Sequence, residues 1–259
     1  MSFVCWNFDR KVDQDLVLKQ SSSKYIEMKN RIWLCRLAAT GFVLVLAGGC
    51  SKYEETAEII ADEDGNAYTC ITIGTQVWMA ENLKTTKYND GCVIPLVSIN
   101  SEWGSLSAGA YCWYNNDAVN KKLYGALYNW YAVNTGKLCP AGWHVPSDAE
   151  WTALTKFLGG ESIAGGRLKE TGTVHWTSPN SGATNESNFS ALPGGIHNHD
   201  GMFCRIGTSG YWWSATGTTS VTVGALSRII DSGSPALIME NCNRNCGFSV
   251  RCLKDYCVP

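Results

Sequence analysis

The 259-residue sequence predicts an α+β domain of two helices, short and mainly antiparallel strands, and long loops. Three observations carry that prediction. Residues 148–158 place Trp151, Leu154, Phe157 and Leu158 at helical spacing, after a Ser147/Glu150 capping box and before the helix-ending pair Gly159-Gly160. Residues 68–73 and 76–80 are β-prone runs separated by Gly74-Thr75, which is hairpin spacing. Residues 171–188 are irregular and rich in Ser, Thr, Asn and Gly, the composition of a long surface loop on a small scaffold.

Along the chain, residues 1–27 are polar and unpatterned, and Met28 opens a different kind of sequence. Lys29, Arg31 and Arg36 form a basic region, 37–47 is an apolar run too short to span a bilayer, and Leu46-Ala47-Gly48-Gly49 puts small residues directly before Cys50. This resembles a bacterial lipoprotein signal at 28–49 with Cys50 as the lipidated residue. It makes 1–27 an upstream extension, and the implied localisation is the bacterial outer membrane, lipid-anchored. Residues 50–67 read as an acidic tether. The Lys52-Tyr53-Glu54-Glu55 stretch either resembles a surface-export signal or is a plain solvated linker. The domain then covers 68–259. Within it, 111–114 is strand-like, Asn115-Asn116-Asp117 is a turn whose three oxygens fall short of a calcium shell, and 124–133 reads as a first helix. The pattern is weak between 92 and 110, where one short strand is expected. Further strands are expected near 191, 202–206, 211–215, 225–230, 235–239 and 248–253.

Composition narrows the function. From Cys50 onward 14 Lys and Arg stand against 19 Asp and Glu, with no basic stripe, so no nucleic-acid partner is expected. Twelve cysteines beside an export signal point to an oxidising compartment. No nucleophile elbow, phosphate loop or dinucleotide fingerprint is present, and no cofactor is expected.

Six blocks in order, GTQVWMAENL at 74–83, YGALYNWY at 124–131, CPAGWHVPSDAEW at 139–151, FSALPGG at 189–195, GYWWS at 210–214 and GFSVRC at 247–252, resemble the Fibrobacter succinogenes major paralogous domain family. The pattern is also similar to the C-type-lectin-like fold, which the formylglycine-generating enzymes elaborate. That resemblance implies a disulfide between Cys139 and Cys252, with the helix approach beside the last strand. It leaves open the pairing of the other cysteines. Cys242-Asn243-Arg244-Asn245-Cys246 is either a structural pair or, by analogy with those enzymes, a copper(I) site of a cysteine oxidase. Its three-residue spacing departs from their four.

His197-Asn198-His199-Asp200-Gly201 reads as a turn with solvent-exposed imidazoles in preference to zinc, because no further ligand cluster accompanies it. Tyr211 and Trp213 should share one strand face and Trp212 the other, which is either core or an aromatic platform for a sugar ring. Asn241, Asn243 and Arg244 lie where lectin-like folds place variable ligand contacts. The expected ligand contacts are therefore Trp212, Asn198, Asp200, Asn241, Asn243 and Arg244, in a lipid-anchored module that recognises a glycan or a protein. The alternatives are the oxidase and a structural surface protein.

Overall fold

A computed structural model describes residues 58–219 and 224–256. The lipobox with Cys50 and the 1–27 and 28–49 segments lie outside the described residues. Twelve strands form two five-stranded sheets and a two-stranded ribbon. The first sheet takes β1 (Ile59–Ala61), β2 (Ala67–Ile73), β3 (Gln76–Met79), β12 (Leu253–Lys254) and β6 (Trp143–His144), in the order β1-β2-β3-β12-β6. The second takes β7 (Gly194–His197), β8 (Phe203–Ile206), β9 (Ser209–Thr218), β10 (Gly224–Asp231) and β11 (Ile238–Asn243), in the order β11-β10-β9-β7-β8. β4 (Tyr111–Cys112) and β5 (Leu127–Tyr128) form the ribbon. The helices are α1 (Asn100–Trp103), α2 (Asn120–Tyr124), α3 (Trp130–Val133), α4 (Asp148–Phe157) and α5 (Glu161–Leu168). The fold is mixed α and β, and its named strand pairs are antiparallel apart from β7 with β9.

The strongest local signals fold as the sequence implies. Ile73 pairs with Gln76 across the hairpin, and Gly74 sits at φ +63°, a conformation glycine adopts without steric cost. At the start of α4 the Ser147 side chain accepts from the Glu150 N–H, and Glu150 Oε2 accepts from the Ser147 N–H at 2.7 Å. Trp151, Leu154 and Leu158 are buried, but Phe157 is 62 % exposed. It lies over the Gly74 turn, so it covers the hairpin from outside and does not belong to the buried stripe.

Several expectations need correction. The acidic stretch is not tether throughout, because Ile59–Ala61 pairs with β2 and its carboxylates are turn acceptors. Asp62 Oδ1 takes the Asp64 and Asn66 N–H groups, and Asp62 Oδ2 takes the Tyr68 hydroxyl at 2.6 Å. The helix expected over 124–133 is broken into strand and turn. Gly125 adopts φ +75° in close approach to the Leu83 carbonyl, and the Asn129 side chain caps a separate single turn, α3, by accepting from the Ala132 N–H. The expectation of two helices does not include α5, whose Gly165-Gly166 pair disfavours a helix. The structure supplies the reason for both glycines: a Cβ on Gly165 would lie 2.2 Å from the Ala236 carbonyl oxygen, and one on Gly166 2.3 Å from that of Gly182. β11 begins at Ile238, three residues into the expected 235–239 run, because Pro235 and Leu237 bond α5 instead, through Gly166 N–H to Pro235 O and Leu237 N–H to Glu161 O. In 248–253 only Leu253–Lys254 is strand, the residues before it making isolated bridges from Phe248 to Tyr128 and from Ser249 to Trp212. In 92–110 there is no named strand, only α1 and isolated bridges.

Candidate functional site

Residues from the sequence blocks meet in the interior. Asn82 Oδ1 accepts from Trp212 Nε1 at 2.9 Å and from Arg251 Nη2 at 3.2 Å, while Asn82 Nδ2 donates to the Tyr124 carbonyl and to Ser249 Oγ. Arg251 also donates from Nη1 to the Phe189 carbonyl, and its guanidinium lies 3.9 Å from the Phe189 ring centroid. The Phe189 ring in turn packs edge-on against Trp78, Trp151 and Trp212. Burial pushes Arg251 down to about 9, with Glu81 opposing weakly. A guanidinium with 1 % exposure and neutral acceptors is expensive to desolvate, and here Nη1 and Nη2 are matched while Nε finds no hydrogen-bond partner among the described residues.

Lys169 is a second buried cation, and no sequence pattern marks it. Its three ammonium protons meet three carbonyls, those of Ser181 at 2.7 Å, Asp231 at 3.0 Å and Ser234 at 3.0 Å. The ammonium thereby ties the end of α5 to the 171–188 loop and to the connection between β10 and β11. Burial pushes it down to about 8, with Asp231 pulling the other way.

The expected ligand contacts separate into two groups. Trp212 is excluded as a platform, because it has 0 % exposure and its indole N–H is spent on Asn82. Arg244 is half-buried, donating to the Gly224 and Thr218 carbonyls with its guanidinium 4.5 Å from the Trp130 ring centroid, so it pins the ends of β9 and β10. Of the remaining residues, Asn198 and Asp200 lie on a turn and Asn241 and Asn243 at the end of β11, where Asn241 Oδ1 accepts from the Thr218 hydroxyl. Asn245 Nδ2 donates to the Trp103 and Leu106 carbonyls, and Cys246 Sγ lies 3.7 Å from Asn198 Oδ1. A Cβ on Gly104 would strike the His199 carbonyl, and one on Gly201 that of Asn100. The 98–106, 198–202 and 241–246 segments therefore share one rim, with His199, Asp200, Asn241 and Asn243 exposed on it.

Asn115-Asn116-Asp117 is a turn with left-handed Asn115 and Asn116. Asn116 Nδ2 donates to the Ser98 carbonyl and Asp117 Oδ1 accepts from the Val119 N–H. His197 departs from the expectation of exposed imidazoles, since it is buried between Phe203, stacked at 3.9 Å, and Trp103. The Gly201 carbonyl can only accept, so His197 Nε2 carries the proton and Nδ1 takes the Cys112 thiol at 3.3 Å. Burial pushes His197 down to about 4 and the Cys112 thiol up, which makes the pair a neutral core contact.

Cys139 and Cys252 are disulfide-bonded with Cα atoms 6.0 Å apart. Cys242 and Cys246 are thiols, each pushed up by burial, Cys246 to about 12. A thiol held protonated in this way is a poor metal ligand and a poor nucleophile. Among the described residues no group of three or more His, Cys, Asp and Glu is placed to hold a metal ion, and no helix is long and apolar enough to cross a membrane. His144 bridges the capping box to the C-terminal segment, with Nε2 2.9 Å from Glu150 Oε1 and Nδ1 2.5 Å from Asp255 Oδ1.

A family model for the Fibrobacter succinogenes major domain matches residues 71–254, well over half of the chain. Comparisons with curated proteins and with solved structures return no match.

Proposed function

The chain belongs to the Fibrobacter succinogenes major domain family, and from that premise we propose that it is a cell-envelope lipoprotein, anchored through Cys50 in the bacterial outer membrane, whose lectin-like domain acts in surface recognition or adhesion. The ligand is a glycan or another protein. One observation carries the reading: the Asn245 side chain ties 241–246 to 98–106, Cys246 and the close backbone approaches at Gly104 and Gly201 bring in 198–202, and Asp200, His199, Asn241 and Asn243 stay exposed. Polar side chains on a rigid rim fix hydroxyls or amides without loop-ordering entropy being lost on binding.

The test uses the purified full chain on a glycan array and against envelope proteins. Asp200→Ala and Asn243→Ala should each weaken binding by about tenfold or more, whereas Cys92→Ser, remote on an exposed turn, should not. Binding that ignores both rim variants, or no saturable binding at all, would overturn the reading. The anchor is checked separately by metabolic labelling with a fatty acid, which Cys50→Ala should abolish.

A further inference from the structure

Register places Trp212 on β9 opposite Arg228 on β10, and Arg228 opposite Met239 on β11. Cross-strand partners point to the same face, so these side chains form one row beneath α4. α4 covers its first two members. Trp212 packs in one cluster with Trp151 and Leu154, and Arg228 Nη2 meets Asp148 Oδ1 at 2.6 Å. Exposure along the row runs 0 %, 4 % and 48 %. The row stops at Met239 because, among the described residues, β11 is the last strand of its sheet.

Next to Met239 lies a small cleft of ≈ 90 Å³, with Leu237 and Arg228 at its floor and Lys156 of α4 and Glu161 of α5 on its walls. It runs on into a shallower trough beside Ala236 and Ile238. Neither Lys156 nor Glu161 makes an ion pair with another of the described residues.

We propose that an extended segment of a partner polypeptide adds as a further strand along Ile238–Glu240 of β11, with the side chain opposite Met239 filling this cleft. The occupant follows from the chemistry of a sheet edge, whose alternating N–H and C=O groups at about 3.3 Å per residue are matched only by another peptide backbone. A sugar chain has no such repeat. The next position in the row falls over the cleft, so a side chain there extends the sequence Trp212, Arg228, Met239 by one member. Its fitting form is an apolar stem against Leu237 and Met239 with an oxygen at the tip, as in Glu or Gln, directed at the Lys156 ammonium. This site is separate from the rim and does not depend on the recognition assigned to it.

The probe is a phage-displayed library of random dodecapeptides panned on the purified full chain, followed by titration of the synthesised winners. Enriched peptides should share a Glu or Gln, bind saturably and slow amide exchange within 238–240. They should lose about tenfold or more in affinity to Met239→Glu and to Lys156→Glu. Lys156 is exposed, so its variant folds, and unchanged thermal unfolding of both variants confirms that the loss is local. The proposal is overturned if no peptide enriches, if the winners ignore both variants, or if protection falls elsewhere. It is equally overturned if sedimentation shows a dimer that Met239→Glu dissociates, since a second copy then holds the edge. Binding that emerges only when residues 1–57 are removed would also overturn it, by making the chain's own segment the occupant.

Discussion

Replacing Lys169 by Met tests how the loop-rich half of the domain is held. The side-chain stem is kept and the three N–H donors vanish, leaving the Ser181, Asp231 and Ser234 carbonyls without the ammonium they now share. Each orphaned acceptor costs about 1–3 kcal/mol, offset in part because a desolvated charge is removed too. The expected net loss is about 3–5 kcal/mol, a large share of the 5–15 kcal/mol by which domains of this size are typically stable. Urea unfolding at pH 7 measures it, and a loss under about 1 kcal/mol would refute the cage.

The pH dependence gives a second, signed check. Lys169 is lowered to about 8 in the fold against an ordinary 10.5, so between those values the unfolded chain binds more protons. Stability from this group is therefore present above pH 10.5 and is lost as pH falls to 8, over a range worth about 3 kcal/mol. The gap between wild type and Lys169→Met should therefore widen as pH rises from 8 to 10.5. A gap that narrows would mean that the carbonyls favour the charged form more than burial disfavours it, and the direction assigned to Lys169 would be wrong.

Ser147→Ala removes half of the capping box of α4 and should cost about 1 kcal/mol. Burial raises Glu150, but the Ser147 bonds and His144 together outweigh it and leave the carboxyl lowered. That contribution is present above the ordinary Glu range and lost as pH falls through the lowered value, so Glu150→Gln should flatten the acid limb of the stability curve; an unchanged limb would exclude Glu150 as its source. Cys139→Ser opens a cross-link spanning 113 residues and should cost about 4–5 kcal/mol in the chain-entropy account, read from urea midpoints with and without reductant. With a thiol reagent at pH 8, peptide mapping should find Cys92 labelled quickly and Cys112 and Cys246 only after denaturation, because burial protects both. Rapid labelling of Cys246 in the native chain would restore the copper-oxidase alternative.

Elements whose cause is local were legible in the sequence. The capping box and the turn of the 67–79 hairpin depend on residues within four positions of one another, and both fold as read. Failures fell where a distant backbone decides. Gly165-Gly166 reads as a helix breaker until Ala236 and Gly182 are seen lying against it. Lys169 looks like any surface lysine, because its three acceptors are main-chain carbonyls and leave no mark on the sequence. His197 and His199 share one turn and no periodicity separates them, yet the first is core and the second exposed. Trp212 presented a two-way choice that alternation alone does not resolve. The deciding fact is that Asn82, 130 residues earlier, supplies an acceptor for its indole.

The blocks that identify the family are therefore informative about the interior. GTQVWMAENL supplies Trp78 and Asn82, FSALPGG supplies Phe189, GYWWS supplies Trp212, and GFSVRC supplies Arg251 and the bridging Cys252; apart from the disulfide sulfurs, these groups meet in one polar and aromatic knot. A chain that carries the blocks is bound to form the knot, since leaving Arg251 or Asn82 unmatched in the core would cost several kcal/mol. The rim residues Asn198, Asp200, Asn241 and Asn243, and the cleft beside Met239, all lie between the blocks. Their side chains contribute nothing to the knot; the bonds they make are local, such as Asp200 Oδ1 accepting from the Met202 N–H and Asn243 Oδ1 from the Asn245 N–H. Membership thus transfers the scaffold, and what a given chain binds has to be read from the residues between its signature blocks.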